Sequence, residues 1–330
     1  MAKRRALITG ITGQDGCYLA QLLLAKGYEV FGAAESARPF NGFGLQYLGI
    51  QDQVQIRRLT LLAEKEVDRL IAELLPDEIY HLAGQSSVAL SFAEPQPTFL
   101  TNTAPTLNLL DAFRRHLKGA RFFHASSSEM FGDATQLPIT LSTPMTPKSP
   151  YGASKVAAHN LVRVYRESFN LFCVSGVMFN HESFLRRQGF FTKKLIRAAI
   201  EISEGKREKL LLGDLTVKRD FGYAPEYVVA MWQMLQSPVP RDIMVCSGVA
   251  VSLESLVRQT FNILNLPMSL CQVDPSLLRP NELHSIYGCT NDAQEYLGWR
   301  AKMPATAMIE VLVKEEIAFR KTPESAAQSL

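Results

Sequence analysis

The stretch Ala6-Leu7-Ile8-Thr9-Gly10-Ile11-Thr12-Gly13-Gln14-Asp15-Gly16 decides the fold of this chain. It reads as a short apolar strand that runs into glycines spaced Gly-x-x-Gly-x-x-Gly, and a helical apolar pattern follows directly. The first glycine permits a tight turn, the second lets a pyrophosphate approach the backbone, and the third lets the helix pack on the sheet. Because the glycines lie between a strand and a helix, the stretch favours a dinucleotide-binding turn over an ordinary glycine-rich turn.

The second predicted strand, at residues 28–32, is followed by residues that bear on the choice of dinucleotide. An acidic side chain at the end of this strand binds the ribose diol of NAD, whereas an arginine binds the 2′-phosphate of NADP. Glu35 therefore favours NAD and Arg38 would serve NADP, so both cofactors stay open.

Strands and helices alternate beyond this point. Helices are predicted at 64–75 and 102–113, the second with Pro105 near its start, where proline is tolerated. The alternation predicts an α/β fold, a Rossmann-type doubly wound parallel sheet with a smaller C-terminal lobe. We expect residues 1–179 to form the NAD(P)-binding domain, with 209–245 returning to it, and 180–330 to form mainly the lobe. Further strands are predicted at 79–84, 121–125 and 171–179, and further helices at 195–202, 227–235 and 307–320.

Candidate catalytic residues follow the predicted strand at 121–125 and begin the helix that is predicted after Ser149-Pro150. Tyr151 and Lys155 are one helical turn apart, so the ammonium charge of Lys155 can favour the phenolate of Tyr151. The ordinary pKa of a tyrosine phenol is ~10. A Tyr–Lys pair at this spacing is often exposed on the surface without a catalytic role, and Ser127 with Glu129 could equally cap a helix. Since ligands of doubly wound sheets lie beyond the carboxyl ends of the strands, we favour one shared site. The expected cofactor contacts are Gly10, Thr12, Gly13, Gln14, Asp15, Gly16, Glu35, Arg38, Leu82, Ala83, Tyr151 and Lys155.

Composition and residue spacing argue against several kinds of partner and binding site. The net charge of +3 over 330 residues is small, and the basic residues are interspersed with acidic ones, so neither nucleic acid nor an anionic membrane is an expected partner. No apolar run approaches the ~18 residues of a membrane span. His181 and Glu182 are not spaced as a metal pair, and we expect no metal site. The cysteines are odd in number, widely spaced and typical of a reducing cytoplasm: Cys17, Cys173, Cys246, Cys271 and Cys289.

Taken together, these motifs resemble the extended short-chain dehydrogenase/reductase superfamily and, within it, the GDP-mannose 4,6-dehydratase family. The likeness extends to about Trp299. The segments that carry it are Gly10-Ile11-Thr12-Gly13-Gln14-Asp15-Gly16, Ser126-Ser127-Ser128-Glu129-Met130-Phe131-Gly132, Ser149-Pro150-Tyr151-Gly152, Phe179-Asn180-His181-Glu182-Ser183, Lys218-Arg219-Asp220-Phe221-Gly222 and Arg279-Pro280-Asn281-Glu282.

The resemblance implies a redox-neutral dehydration of a GDP-linked sugar, GDP-mannose above all. Tyr151, helped by Lys155, would take the proton of the C4 hydroxyl while hydride leaves C4 for the nicotinamide. Glu129 would then remove the C5 proton, and Ser127 or a water would protonate the departing C6 hydroxyl. Hydride return to C6 gives a 4-keto-6-deoxy sugar. The implied substrate contacts are Ser86, Asn180, Lys193, Arg219, Arg279 and Glu282.

Some positions depart from the family pattern and keep alternatives open. Glu35 and Ser36 replace the paired arginines that hold the NADP 2′-phosphate and support a tetramer, so NADP is the family expectation and NAD the local one. Leu59-Thr60 replaces a Gly-Asp pair, and His284 occupies a position that is usually acidic. A homodimer or homotetramer is expected. The alternatives are a GDP-heptose 4,6-dehydratase, a nucleotide-sugar decarboxylase or epimerase, and a catalytically silent binding relative.

Overall fold

A central parallel sheet organises the computed structural model, which describes residues 3–37, 39–278 and 281–322. In chain order the described strands are β1 (Arg5–Thr9), β2 (Glu29–Glu35), β3 (Val54–Leu59), β4 (Glu78–His81), β5 (Arg121–Ser127), β6 (Cys173–Met178), β7 (Asn180–Glu182), β8 (Leu210–Leu212), β9 (Lys218–Tyr223), β10 (Ile243–Val245), β11 (Ala250–Ser252), β12 (Cys271–Val273) and β13 (Ser285–Ile286).

Helices cover both faces of this sheet and form the core of the C-terminal lobe. The described α-helices are α1 (Gln14–Ala25), α2 (Phe43–Tyr47), α3 (Glu64–Leu74), α4 (Val88–Ala93), α5 (Pro95–His116), α6 (Pro150–Phe169), α7 (Phe191–Ser203), α8 (Ala224–Gln236), α9 (Leu253–Ile263), α10 (Asn291–Leu297) and α11 (Ala305–Arg320).

Seven strands form the central sheet in the order β3-β2-β1-β4-β5-β6-β10, and all neighbours are parallel. This order reverses direction between β1 and β4, which confirms the predicted doubly wound α/β fold. Strand β1 lies at the centre, where Leu7 pairs with Phe31 of β2 and Ile79 of β4. Because helices cover both faces, Ala6, Leu7 and Ile8 are fully buried.

A second, smaller sheet forms part of the C-terminal lobe. Strand β9 pairs in parallel with β7 and β13 and antiparallel with β11, while β8 and β12 pair separately. Helices α7, α9 and α11 pack beside it around Leu195, Phe221, Phe261, Met308 and Val313. Strand β7 follows β6 after one residue, so the chain passes directly from the central sheet into the second sheet.

The prediction that Pro105 lies near the start of its helix is wrong. Helix α5 begins ten residues earlier, at Pro95, and Pro105 lies in its interior. Proline removes one backbone donor there, yet Pro105 and its neighbour Thr106 are both buried on the packed face of the helix. Packing of buried side chains along the helix therefore outweighs the local effect of proline. No helix among the described residues is long and apolar enough to cross a bilayer.

Candidate active site

The glycine turn between β1 and α1 has the geometry of a phosphate cradle. Gly10 has φ +73°, and a Cβ there would lie 2.8 Å from the Ala83 nitrogen, so β4 approaches the turn closely. Helix α1 begins after Gly13, which has no side chain to cap the first N–H groups. These donors, at the positive end of the helix dipole, suit a pyrophosphate. The residues present therefore fit a dinucleotide.

The side chains of Gln14 and Asp15 point into a hydrogen-bonded cluster with β7 and the residue after it. Gln14 Nε2 donates to the His181 carbonyl at 3.0 Å, and the Ser183 hydroxyl donates to Gln14 Oε1 at 2.8 Å. His181 Nε2 lies 2.9 Å from Asp15 Oδ2. The predicted cofactor contacts of Gln14 and Asp15 therefore depend mainly on their backbone N–H groups.

Two segments place a phenol, a hydroxyl and a carboxylate together. Ser127 ends β5, and its Oγ accepts a hydrogen bond from the Glu129 backbone N–H at 3.3 Å. Tyr151 lies in the first turn of α6, where the Ser127 side chain is near enough to act on the pKa of its phenol. A Cβ on Gly152 would lie 2.6 Å from the Glu129 carbonyl, so glycine permits this close approach of α6. Ser127, Glu129 and Tyr151 are thus neighbours.

Burial controls the protonation of Tyr151 and Lys155. It raises the pKa of Tyr151 to about 12, although the Ser127 side chain acts in the opposite direction. Burial also lowers the pKa of Lys155 to about 8. Lys155 Nζ donates to the Ala125 carbonyl at 2.9 Å and lies 6.0 Å from the centre of the Tyr151 ring. At neutral pH Tyr151 therefore keeps its proton in this state, and Lys155 is predominantly cationic.

Asn102 supports this site and was not found from the sequence. Its Nδ2 donates to the Ser154 hydroxyl at 2.9 Å and to the Gln85 carbonyl at 3.0 Å, and its Oδ1 accepts from the Gln85 N–H at 2.8 Å. It thus joins α6 to the loop after β4. A signal was available, because Thr98, Asn102 and Thr106 are polar residues four apart on one buried face of α5.

A cleft joins the catalytic segment to the predicted substrate contacts. Glu129 and Ser149 line one part of it, and Asn281 and Glu282 line another. Arg219 of β9 donates to Glu282 Oε1 at 2.7 Å, which places that guanidinium beside the same cleft. The structure therefore brings Arg219 and Glu282 toward Glu129.

The other predicted substrate contacts differ in their surroundings. Asn180 is half-buried at the start of β7, and Ser86 is exposed just before α4. Lys193 Nζ instead donates to Glu316 of α11 and to the Phe184 carbonyl, both at 2.7 Å. It would have to leave this buried ion pair to reach a nucleotide sugar. Arg279 lies outside the described residues.

The end of β2 carries the residues that bear on cofactor choice. Glu35 is exposed, and its Oε1 accepts from the Ala37 N–H at 3.3 Å. Arg58 of the neighbouring β3 donates to the Ser36 carbonyl at 3.1 Å, so a cation reaches this turn. Arg38 lies outside the described residues. An acidic and a basic group thus meet at this position, and NAD and NADP both stay compatible with it.

Comparison with known proteins establishes the family. The family model described as GDP-mannose 4,6 dehydratase matches residues 7–312. The chain belongs to the GDP-mannose 4,6-dehydratase family. Within this family, GDP-mannose 4,6 dehydratase 2 of Arabidopsis thaliana is 38% identical over 97% of this chain and 88% of that protein. The GDP-mannose 4,6 dehydratase of Homo sapiens is 35% identical over 97% and 93%. The resemblance inferred from the motifs is confirmed.

Solved structures confirm the fold of this GDP-mannose 4,6-dehydratase family member. The dTDP-glucose 4,6-dehydratase DesIV of Streptomyces venezuelae, solved with NAD, has a TM-score of 0.85 and 20% identity, and the match covers 96% of this chain and 98% of that one. RMD of Pseudomonas aeruginosa, solved with NADPH, has a TM-score of 0.79 and 23% identity over 96% and 100%. At these identities the likeness concerns the fold alone.

Proposed function

We propose that this protein is a hydro-lyase that converts GDP-mannose to GDP-4-keto-6-deoxymannose without net oxidation. The observation that carries the proposal is the position of the Glu129 segment beside Ser127 and Tyr151, at the edge of the cleft that Glu282 also lines. Oxidation at C4 needs only the tyrosine and lysine, whereas elimination across C5 and C6 also needs a carboxylate base. The names of the family members support GDP-mannose as the substrate.

The cofactor that fits the glycine turn is NADP or NAD. The turn at Gly10 and Gly13 would admit its pyrophosphate, the turn after β2 would hold its adenosine ribose, and Lys155 would hold its other ribose. The chemistry that a bound nicotinamide supplies is removal of hydride from C4 and its return to C6. The protein supplies the orientation and the proton transfers.

Three side chains of this chain carry the proton steps. When the sugar is bound, Tyr151 acts as the phenolate, which the Lys155 charge favours. The phenolate accepts the proton of the C4 hydroxyl and becomes a neutral phenol. The 4-keto group acidifies the C5 hydrogen, which Glu129 removes. Ser127, which lies near Tyr151 and accepts a hydrogen bond from the Glu129 backbone, relays a proton to the C6 oxygen. Two protons are taken up, one from the C4 hydroxyl and one from C5. One leaves in water and the other returns to C5, so the three side chains end in the protonation states in which they began.

The proposal also covers the domain organisation, the oligomeric state and the cellular location of the protein. We infer that residues 1–179 form the NAD(P)-binding domain, which β10 and α8 complete, and that 180–330 mainly bind the nucleotide sugar. Exposed apolar side chains on α5 and α6 favour a homodimer through these helices, alone or within a homotetramer. All five cysteine thiols are free, which suits a reducing cytoplasm.

Incubation with GDP-mannose in deuterated water tests the proposed reaction. We expect GDP-4-keto-6-deoxymannose with one deuterium at C5, because the proton that Glu129 returns exchanges with solvent. NMR and mass spectrometry of the product locate the label. GDP-glucose and dTDP-glucose in parallel serve as substrate controls. A protein that binds cofactor but forms no 4-keto product from GDP-mannose would contradict the mannose assignment.

A further inference from the structure

Four side chains join the cofactor turn to the second sheet. On the side of the turn, Gln14 donates to the His181 carbonyl at 3.0 Å and accepts from Ser183 at 2.8 Å. Asp15 Oδ2 lies 2.9 Å from His181 Nε2. The residues are about a hundred and seventy positions apart in sequence, so the cluster is a tertiary contact between two parts of the fold.

The geometry around His181 requires a charged imidazole. Its Nδ1 lies 2.6 Å from the Phe179 carbonyl, and its Nε2 lies 2.9 Å from the Asp15 carboxylate. Both partners are acceptors only, and a neutral imidazole has a single N–H. Two such hydrogen bonds therefore need the imidazolium form, which makes the contact with Asp15 an ion pair that is shielded from solvent.

The surrounding groups agree with this assignment. Burial acts to lower the pKa of His181, but the charge and hydrogen bond of Asp15 outweigh it and the pKa lies above its ordinary value. Burial likewise acts to raise the pKa of Asp15, and the His181 charge outweighs it in the other direction. Arg186 is the nearby cation that opposes the charge on His181. From α8, the Tyr227 ring stacks on His181 at 4.8 Å and stays neutral because burial raises its pKa.

The Asp15–His181 pair connects the cofactor turn to the second sheet. Asp15 lies in the first turn of α1, where the pyrophosphate is expected, and His181 lies in β7. In the second sheet His181 pairs with Gly222 of β9, the strand that carries Arg219. A movement of the cofactor turn therefore reaches the predicted sugar contacts through this ion pair, which is the charged link beside the two hydrogen bonds of Gln14.

We propose that Asp15 and His181 are positioning residues whose ion pair couples occupancy of the cofactor turn to the order of β7 and β9. The proposal deepens the proposed function and depends on it only for the identity of the second ligand. Cofactor binding fixes the turn, the turn fixes His181, and His181 fixes the edge of the nucleotide-sugar lobe. Without the pair, each ligand would order its own region alone.

Hydrogen exchange followed by mass spectrometry tests this coupling without any sugar. The whole protein is compared with and without saturating NADP or NAD, for wild type, Asp15→Asn and His181→Gln. In wild type we expect cofactor to slow exchange at residues 10–16, 180–183 and 218–223. In both variants we expect protection at 10–16 to remain and protection at 180–183 and 218–223 to be lost. Equal protection of all three segments in the variants would overturn the proposal.

Two controls separate coupling from general damage. Asp68 and His116 form another Asp–His pair, with 2.6 Å between Nε2 and Oδ1, on α3 and α5 away from the turn. Asp68→Asn should keep the wild-type exchange pattern. Asp15→Glu retains the charge and should restore protection of 180–183 and 218–223. If Asp15→Asn does not fold, Asp15→Glu and His181→Gln remain as the pair of variants to compare.

The charge on His181 is measured by ¹⁵N NMR of histidine-labelled protein, with His181→Gln identifying its signals among the six histidines. Because its pKa is raised, we expect the imidazolium below that pKa and its loss as pH rises through it. Asp15→Asn should shift this loss to lower pH. A neutral His181 at pH 6 in wild type would contradict the ion pair. Failure of GDP to bind would contradict the proposed substrate class, while the exchange result would still decide the coupling.

Discussion

In the proposed mechanism, Glu129 is the residue that separates this protein chemically from a simple oxidoreductase. Its position two residues after Ser127 places a carboxylate and a hydroxyl in one short turn at the end of β5. Tyr151 and Lys155 approach the same turn from α6. Tyr151 and Lys155 would suffice for oxidation at C4, so the proposed elimination depends on the added carboxylate.

Replacing Glu129 with Gln should leave the fold and GDP binding intact while stopping elimination. Loss of a general base typically lowers kcat by about 10²–10⁴-fold. Borohydride quenching should trap an enzyme-bound 4-keto hexose that still carries its C6 hydroxyl. Glu254→Gln, at an exposed position on α9, is the matched control and should turn over normally. Wild-type turnover by Glu129→Gln would remove the proposed base.

At the residue scale, local spacing identified Ser127, Glu129 and Tyr151 as candidates, because each motif lies within a few residues, and the structure places the three near one another. The roles of Asn102 and His181 were hidden because their partners are distant in sequence. Asn102 bonds to Ser154 across 52 positions, and His181 bonds to Asp15 across 166. Motif spacing carries no information about such pairs.

Helices α5 and α6 pack on the sheet with one face and leave apolar side chains on the other. A monomer rarely keeps a large apolar patch exposed to water, so these helices are the expected contact between two copies. The exposed residues are Phe99, Leu100 and Leu107 on α5, and Val164 and Phe169 on α6.

Charges on this face should dissociate the dimer. We expect Leu100→Asp combined with Leu107→Asp to sediment as a folded monomer, because two carboxylates would be desolvated at the contact. Sedimentation velocity measures the mass, and circular dichroism checks the fold. Leu62→Asp, an equally exposed position outside both helices, should stay dimeric. A wild-type monomer, or a double variant that stays dimeric, would contradict the contact.

The elements were predictable where the apolar pattern is long. The predicted helix at 64–75 agrees with α3 to within a residue, and that at 195–202 lies inside α7. Strands β11, β12 and β13 have two or three residues each, which is too short to show any periodicity. Their pairing depends on tertiary contacts rather than on local sequence.

At the scale of the whole molecule, the order of the central sheet brings the ends of β1, β4 and β5 together, and α6 adds Tyr151 to them. The passage from β6 into β7 then brings the second sheet against the same edge. The alternation of strands and helices in the sequence predicts the order of the central sheet, since the doubly wound order follows from it. The position of the second sheet against that edge depends on contacts between residues that are distant in sequence.

The redox-neutral reaction is tested most directly with GDP-mannose that carries deuterium at C4, incubated in ordinary water with catalytic amounts of cofactor. We predict that the deuterium appears at C6 of GDP-4-keto-6-deoxymannose, because hydride removed from C4 returns to the same sugar. NMR of the product locates the label. A 4-keto-6-deoxy product without deuterium at C6, or deuterium retained at C4 with no such product, would contradict the account.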